Sequence, residues 1–327
     1  MRALVFEAPN RAVVATLEQP AIGPDDVLVR SHAVGICHSD FELYEGRYII
    51  PVSYPVIPGH EWAGEVVEVG RNVTDLKPGD RVVGECVVGP GGRDHFGFSI
   101  DGADAELFSA RAEWLHKLPE TMSYTTGALV EPFSVAYAAV RAAGRVDPSD
   151  AVAVIGAGPI GLMTAMCAAA HHARVTVIEP LAHRRQAALD GGAAAVLDPT
   201  AGGFSDAVAD ATGGRGFDVV IEAAGAPGAM ATALEIAAHE ARLVYVGISI
   251  GRKAEADLGL IQSKALRIRG TIGSAGVWPQ TIRFLASGVV DPTRFVTARF
   301  PLEQALAALD AARDTERNIK VQIETSA

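Results

Sequence analysis

The chain has 327 residues, 49% hydrophobic and 20% charged, which excludes a disordered or low-complexity protein and fits about two domains. Its 28 basic and 39 acidic residues give a net charge of −11, which repels phosphate backbones and argues against a nucleic-acid partner. Three scattered cysteines, Cys37, Cys86 and Cys167, cannot build a disulfide framework and point to a reducing, cytoplasmic setting.

The N-terminal MRALVFEAPNR meets Glu7 and Pro9 before a useful apolar run forms, so no targeting segment is read there. The first 110 residues carry short β-branched runs at 27–34, 63–70 and 80–88, separated by Pro24-Asp25 and Pro78-Gly79-Asp80. That pattern predicts a small, twisted, barrel-like β-domain. Residues 123–144 turn helical, with Pro132 at a first-turn position, and 145–150 read as a boundary. From 151 strands and helices alternate. The strand candidates are 151–156, 174–179, 194–198, 218–223, 242–247 and 266–271. Such crossovers predict an α/β doubly wound parallel sheet. The tail RFPLEQALAALDAARDTERNIKVQIE reads as a loop, a helix and a strand that returns to the first domain. Residues 151–170 carry no charge and approach membrane-spanning length, but Gly156, Gly158, Pro159 and Gly161 interrupt them; a buried strand, a turn and a buried helix are expected instead of a span.

Gly156-Ala157-Gly158-Pro159-Ile160-Gly161 follows a predicted strand and opens a predicted helix. Gly156 permits the tight turn, Gly158 lets the backbone approach a pyrophosphate, and Gly161 allows close helix–strand packing. A second strand ends in Glu179, 23 residues after Gly156, near the spacing at which an acid meets the adenosine ribose. A carboxylate there repels a 2′-phosphate and favours NAD over NADP. Arg184 and Arg185 lie just beyond, either as phosphate partners or as a solvated helix face. Ligands of open α/β sheets bind beyond the carboxyl ends of strands, so Ala224, Gly247, Ile248 and Ile272 are expected to line the nicotinamide cleft, or else to serve as ordinary turns.

In the first domain Gly35-Ile36-Cys37-His38-Ser39-Asp40 is followed by Gly59-His60-Glu61. A thiolate, an imidazole and a carboxylate are the side-chain types that zinc accepts, and widely spaced ligands suit a catalytic rather than a finger-like site. Taken singly, Cys37 also fits a buried core thiol and His60 a satisfied core histidine.

GICHSD, GHEWAGEVVEVG, KPGDRV, VEPFSVA and GAGPIG, in this order, resemble the zinc-dependent medium-chain dehydrogenase/reductase family over almost the whole chain. The resemblance implies a GroES-like β-barrel catalytic domain (1–145 and 291–327), a Rossmann NAD-binding domain (146–290) and an active site in the cleft between them. It implies Cys37 and His60 as zinc ligands. Glu61 matches a glutamate that binds zinc directly in some members and only at intervals in others. The segment Glu131-Pro132-Phe133-Ser134-Val135-Ala136 is similar to the sorbitol/polyol and threonine dehydrogenase branch, where the glutamate lies at the zinc. Glu131 is therefore a ligand or near ligand, and also a carboxylate suited to a helix N-terminus. Asp40 matches an aspartate that orients the histidine, Ser39 a hydroxyl that relays the substrate proton, and His38 a contact to the coenzyme pyrophosphate.

Three departures stand out. Residues 86–102 hold only Cys86, so one catalytic zinc per chain and no structural zinc is expected. Glu42 occupies a position that is often a relay histidine. Trp62 follows the GHE motif, and GHEW with ALVFEAP is similar to aminocyclitol dehydrogenases of the 2-deoxy-scyllo-inosamine type. The expected reaction is hydride transfer between NAD and a secondary alcohol or ketone of a polyol, sugar or (amino)cyclitol. A zinc-free quinone or enoyl reductase on the same scaffold and a non-enzymatic nucleotide-binding redox sensor are the alternatives. The expected partners are a small-molecule substrate and further copies of the chain, as a homodimer or homotetramer paired through the edge LRIRGTI, with no membrane. Substrate selectivity is expected from residues 41–54 and 90–98; Tyr44, Arg47 and Trp278 are candidate contacts there, although core or surface packing is the better expectation for any one of them.

Overall fold

The structure, a computed structural model, describes residues 1–50, 52–248, 251–274 and 276–325; within the expected selectivity stretch 41–54, Pro51 lies outside the described residues. The chain forms two compact units. One comprises Met1–Glu131, Trp278–Gly288 and Val296–Ala327; the other comprises Pro132–Val277 and Val289–Phe295.

The first unit is built on a seven-stranded sheet in the order Val296–Pro301, Lys320–Glu324, Asp26–Gly35, Glu61–Val69, Arg81–Gly84, Leu115–Lys117, with Leu107–Arg111 also paired to Asp26–Gly35. The long strand Asp26–Gly35 organises it, because antiparallel neighbours bond to both of its edges. Its β-branched Val27, Val29 and Val34 are fully buried and pack with Trp62, Val66, Phe96 and Phe108. A second cluster of Leu4, Phe6, Phe41, Leu43, Leu309 and Ile323 seats the helices His38–Tyr44 and Ala305–Arg313. The hairpin Arg2–Ala8 with Arg11–Thr16 completes the unit.

One expectation for the tail needs correction. The start of RFPLEQ is not a loop: Arg299, Phe300 and Pro301 end the edge strand Val296–Pro301, which runs parallel to Lys320–Glu324. Its alternation of half-buried and exposed residues is short, and proline, which cannot donate to a ladder, is tolerated at such an edge.

The second unit holds a six-stranded, all-parallel sheet in the order Ala195–Leu197, Arg174–Ile178, Ala151–Ile155, Phe217–Glu222, Ala237–Tyr245, Arg267–Gly270. Numbered along the chain from residue 151, these run 3-2-1-4-5-6, the doubly wound order that reverses at the first strand. The uncharged stretch 151–170 resolves into the buried central strand Ala151–Ile155 and the helix Pro159–Ala170. Among the described residues no helix is long and apolar enough to cross a membrane.

Helix and strand meet closely at Gly161, where an added Cβ would lie 2.0 Å from the Gly156 carbonyl oxygen. Gly161→Ala should therefore push the helix off the strand and lower stability by about 1–3 kcal/mol. Urea unfolding checks this; an unchanged midpoint would show that the helix shifts freely.

Candidate metal centre and nucleotide site

The metal centre is assembled where strands of the first unit end or begin. Cys37 follows the strand Asp26–Gly35 and caps the helix His38–Tyr44 in an extended conformation. Glu61 opens the strand Glu61–Val69 directly opposite Gly35, with His60 just before it. Among the described residues Cys37, His60 and Glu61 form the one group of three metal-ligating side chains whose ligand atoms all lie within 4.8 Å of one another. His60 is 4% and Glu61 1% exposed. Gly35 makes the space, because an added Cβ would lie 2.3 Å from Glu61 Oε2.

Asp40 links two of the three. Its Oδ2 accepts the Cys37 backbone N–H at 2.8 Å, and its Oδ1 stands 3.4 Å from His60 Nδ1. A carboxylate on Nδ1 fixes the ring and leaves Nε2 as the nitrogen with an available lone pair. Burial disfavours a charged His60, but Asp40 outweighs it and holds the pKa well above the ordinary histidine value. The other face of His60 packs on Phe98, ring centroids 4.7 Å apart.

Sequence reasoning missed Lys320. It opens the strand Lys320–Glu324, is 2% exposed, ion-pairs with Glu61 Oε2 and donates to the Ile36 carbonyl at 2.9 Å. Burial pulls the ammonium pKa down, yet Glu61 and Cys37 more than offset that, and Lys320 stays raised. Its signal was a lysine heading an otherwise buried strand, NIKVQIE, where only a partnered charge is tolerated. Asp104 was missed as well. It is 3% exposed, its Oδ1 has no hydrogen-bond partner, and burial followed by the charge of Asp40 pushes its carboxyl well above the usual range.

Glu131 sits in the first turn of the helix Val130–Ala142 and does not join the trio within 4.8 Å. Burial raises its carboxyl to about 7; Glu61 adds to the rise, while His60 and Lys320 oppose it. Ser39 is half-buried and His38 exposed, both in the first turn after Cys37. Glu42 is ion-paired to Arg47 at 3.2 Å. Cys86 is half-buried, its Sγ 3.9 Å from the Phe96 carbonyl, and burial pushes its thiol up to about 12.

The selectivity candidates are engaged elsewhere. Tyr44 meets Phe6 edge-on at 5.3 Å and lies under Arg313, Arg47 binds Glu42 and Glu45, and Trp278 is 2% exposed and stacks on His116. Tyr48, within the expected selectivity stretch 41–54 but not singled out there, stacks on Phe98 at 4.6 Å, and Phe98 in turn packs on His60. Trp62 belongs to the core, 5.8 Å from Phe96 and 4.7 Å from Phe108.

Thiolate, imidazole and carboxylate are a donor set suited to zinc. Cys37, His60 and Glu61 each offer one such donor atom, all within 4.8 Å of one another. The residues present fit the metal.

In the second unit Gly156 has φ +95°, and a Cβ there would lie 2.9 Å from the Ala224 nitrogen. Gly158 caps the helix Pro159–Ala170, and the space above its Cα is open as far as the Arg184 guanidinium, 4.0 Å from an added Cβ. Backbone approach by a phosphate therefore meets no obstruction at Gly158. Ile160 is half-buried and its carbonyl accepts Thr164 Oγ1 at 2.8 Å. Glu179 is 5% exposed; Oε2 accepts the Ala157 N–H at 2.7 Å and Oε1 the Leu181 N–H at 3.0 Å. Arg185 donates to the Glu179 and Pro180 carbonyls and pairs with Asp198 at 3.0 Å. Ala224 is exposed and Gly247 half-buried, while Ile248 and Ile272 are 59% and 73% exposed at neighbouring strand ends.

Comparison with known proteins fits this geometry. Residues 23–120 match the alcohol dehydrogenase GroES-like domain, and residues 159–287 match the family described as zinc-binding dehydrogenase. The chain is 34% identical to a sorbitol dehydrogenase of Bacillus subtilis (strain 168), covering 95% of this chain and 93% of that protein. It superposes on the crystal structure of 2R,3R-butanediol dehydrogenase from Bacillus subtilis with a TM-score of 0.91 at 30% identity, covering 99% of each chain. An Escherichia coli CFT073 alcohol dehydrogenase (rspB) complexed with NADH gives a TM-score of 0.92 at 25% identity, again covering 99% of each. The chain belongs to the zinc-binding medium-chain alcohol dehydrogenase family. It is an oxidoreductase with a GroES-like N-terminal domain and a parallel Rossmann sheet.

The Glu61–Lys320 pair generates a direct expectation. Lys320→Met removes the cation and leaves a buried carboxylate uncompensated, a change that costs about 3–5 kcal/mol. Urea unfolding of chelator-treated protein should show this loss, and zinc should restore more stability to the variant than to the wild type. A zinc-free variant as stable as the wild type would contradict a stabilising Glu61–Lys320 pair.

Proposed function

We propose that the chain transfers hydride between NAD and a secondary alcohol or ketone of a polyol, sugar or (amino)cyclitol, with one catalytic zinc and no structural zinc per chain. The observation that carries this reading is the trio Cys37, His60 and Glu61, the first half-buried and the other two buried. The sorbitol dehydrogenase relative supports a polyol. Support for an aminocyclitol rests on the GHEW and ALVFEAP resemblance alone, since the Trp62 ring is core.

The chemistry supplied by the two bound groups is acidification of the alcohol oxygen by zinc and acceptance of hydride by the nicotinamide ring. Cys37, His60 and Glu61 hold the metal, and Glu131 stands by as a further or exchanging ligand. Asp40 orients His60 and, through the Cys37 N–H, the helix start that carries Ser39. Ser39 Oγ receives the substrate proton and passes it outward. Lys320 ion-pairs with Glu61 in a buried setting. Gly156, Gly158, Pro159, Ile160 and Gly161 form the pyrophosphate turn, with His38 and Arg184 as partners of its charge. Glu179 takes the ribose hydroxyls. Arg185 is committed to Asp198 and two carbonyls, which favours NAD over NADP. Ala224, Gly247, Ile248 and Ile272 receive the nicotinamide end; the exposed isoleucines at two strand ends support this, because apolar side chains there gain by being covered.

The functional division we assign is 1–145 with 291–327 for catalysis and 146–290 for the coenzyme. Arg267–Gly270, exposed at all four residues, is the open edge of the parallel sheet and supports pairing with a second copy into a dimer or tetramer. The three free cysteines favour a cytoplasmic setting.

Two measurements test the reading. Cys37→Ser should lose zinc by elemental analysis and lose turnover on a panel of polyols, sugars and cyclitols, while NADH still binds; retained turnover in zinc-free protein would favour a zinc-free reductase. Glu179→Ala should raise the KM for NAD and narrow the gap to NADP, and an unchanged coenzyme ratio would remove Glu179 from ribose recognition.

A further inference from the structure

Glu222 ends the strand Phe217–Glu222 and is 1% exposed. Its Oε1 accepts two backbone N–H groups, from Ala224 and Gly225, each at 2.8 Å. Its Oε2 is buried and has no hydrogen-bond partner. That oxygen is pressed against the next strand's turn, since a Cβ on Gly247 would lie 2.6 Å from it. The Glu222 carbonyl also accepts the Val246 N–H at 2.9 Å and the Gly247 N–H at 3.0 Å. One residue thus grips two turns, with its carboxylate on 224–225 and its backbone on 246–247.

The turns touch each other through glycines. A Cβ on Gly225, where φ is +67°, would lie 2.8 Å from the Ile248 carbonyl oxygen, and one on Gly247 would lie 2.1 Å from the Gly225 nitrogen. Their inner faces are locked while Ala224 and Ile248 face outward. Burial raises the Glu222 carboxyl above its ordinary value, and the two amide donors offset that rise only in part. A buried acid is a costly way to end a strand, and such a cost persists where geometry is held for another purpose.

We propose that Glu222 is a positioning residue for the nicotinamide end of the coenzyme, fixing the turns 224–225 and 246–248 at one spacing. The inference rests on the reading that Ala224, Gly247 and Ile248 receive that end. No step of hydride transfer passes through Glu222.

The test uses NADH against ADP-ribose, which lacks the nicotinamide. In wild-type protein NADH should slow amide hydrogen exchange at Ala224, Gly225 and Gly247 more than ADP-ribose does. Glu222→Gln keeps the volume but replaces one acceptor with a donor, and Glu222→Asp withdraws the carboxylate by one methylene. Each should weaken NADH binding by about tenfold, leave ADP-ribose affinity within about twofold of wild type, and remove the NADH-specific protection. Glu222→Asp decides the matter if Glu222→Gln does not fold. Equal protection of wild type by the two ligands would overturn the nicotinamide placement and the inference with it. NADH-specific protection that survives in Glu222→Asp, or equal loss of both affinities, would overturn the role of Glu222 alone.

Discussion

The catalytic unit depends on a balanced set of charges held out of water. Glu61, Asp40 and His60 are each no more than 4% exposed, and isolated charges do not survive such burial. Lys320 answers Glu61 from the last strand of the chain, and Asp40 answers the histidine and the Cys37 amide. This arrangement couples distant parts of the sequence. Residues 37–40, 60–61 and 320 meet because Asp26–Gly35 pairs with Glu61–Val69 on one edge and with Lys320–Glu324 on the other. The glycine at position 35 is part of the same constraint, since any side chain there would occupy the space that the Glu61 carboxylate fills.

The coenzyme unit solves a different problem. Its central strand Ala151–Ile155 is apolar and buried throughout. Close approach falls to glycines at 156, 161, 225 and 247, and polar side chains serve the turns rather than the solvent. Glu179 bonds the Ala157 and Leu181 amides, and Glu222 bonds the Ala224 and Gly225 amides. Two buried carboxylates at the ends of neighbouring parts of the same sheet thus set the loops on which a dinucleotide would rest.

Most of the architecture was legible in the sequence because it is local. The six strand candidates from residue 151 follow from apolar runs and turn residues, and the observed strands overlap all of them. The first-unit runs at 27–34 and 63–70 were equally clear, while 80–88 divides into Arg81–Gly84 and Val87–Val88 in separate sheets. The edge strand Val296–Pro301 was not, since a proline and a short alternation mask an edge that only pairing defines. The metal-ligating residue types were legible from GICHSD and GHE. For Lys320 the local pattern signals only that a buried lysine needs a partner; that the partner is Glu61, 259 positions away, comes from the fold. The packing expected of Tyr44, Arg47 and Trp278 is what the structure shows, while their partners Phe6, Glu42 and His116 emerge only from the fold.

The most direct test of the metal centre is X-ray absorption at the zinc edge of the zinc-loaded protein. The expected spectrum has a single Zn–S distance at about 2.3 Å, with the remaining ligands nitrogen or oxygen at about 2.0–2.2 Å. A site with no sulfur, or with two or more, would contradict the assembly of Cys37, His60 and Glu61 around one ion.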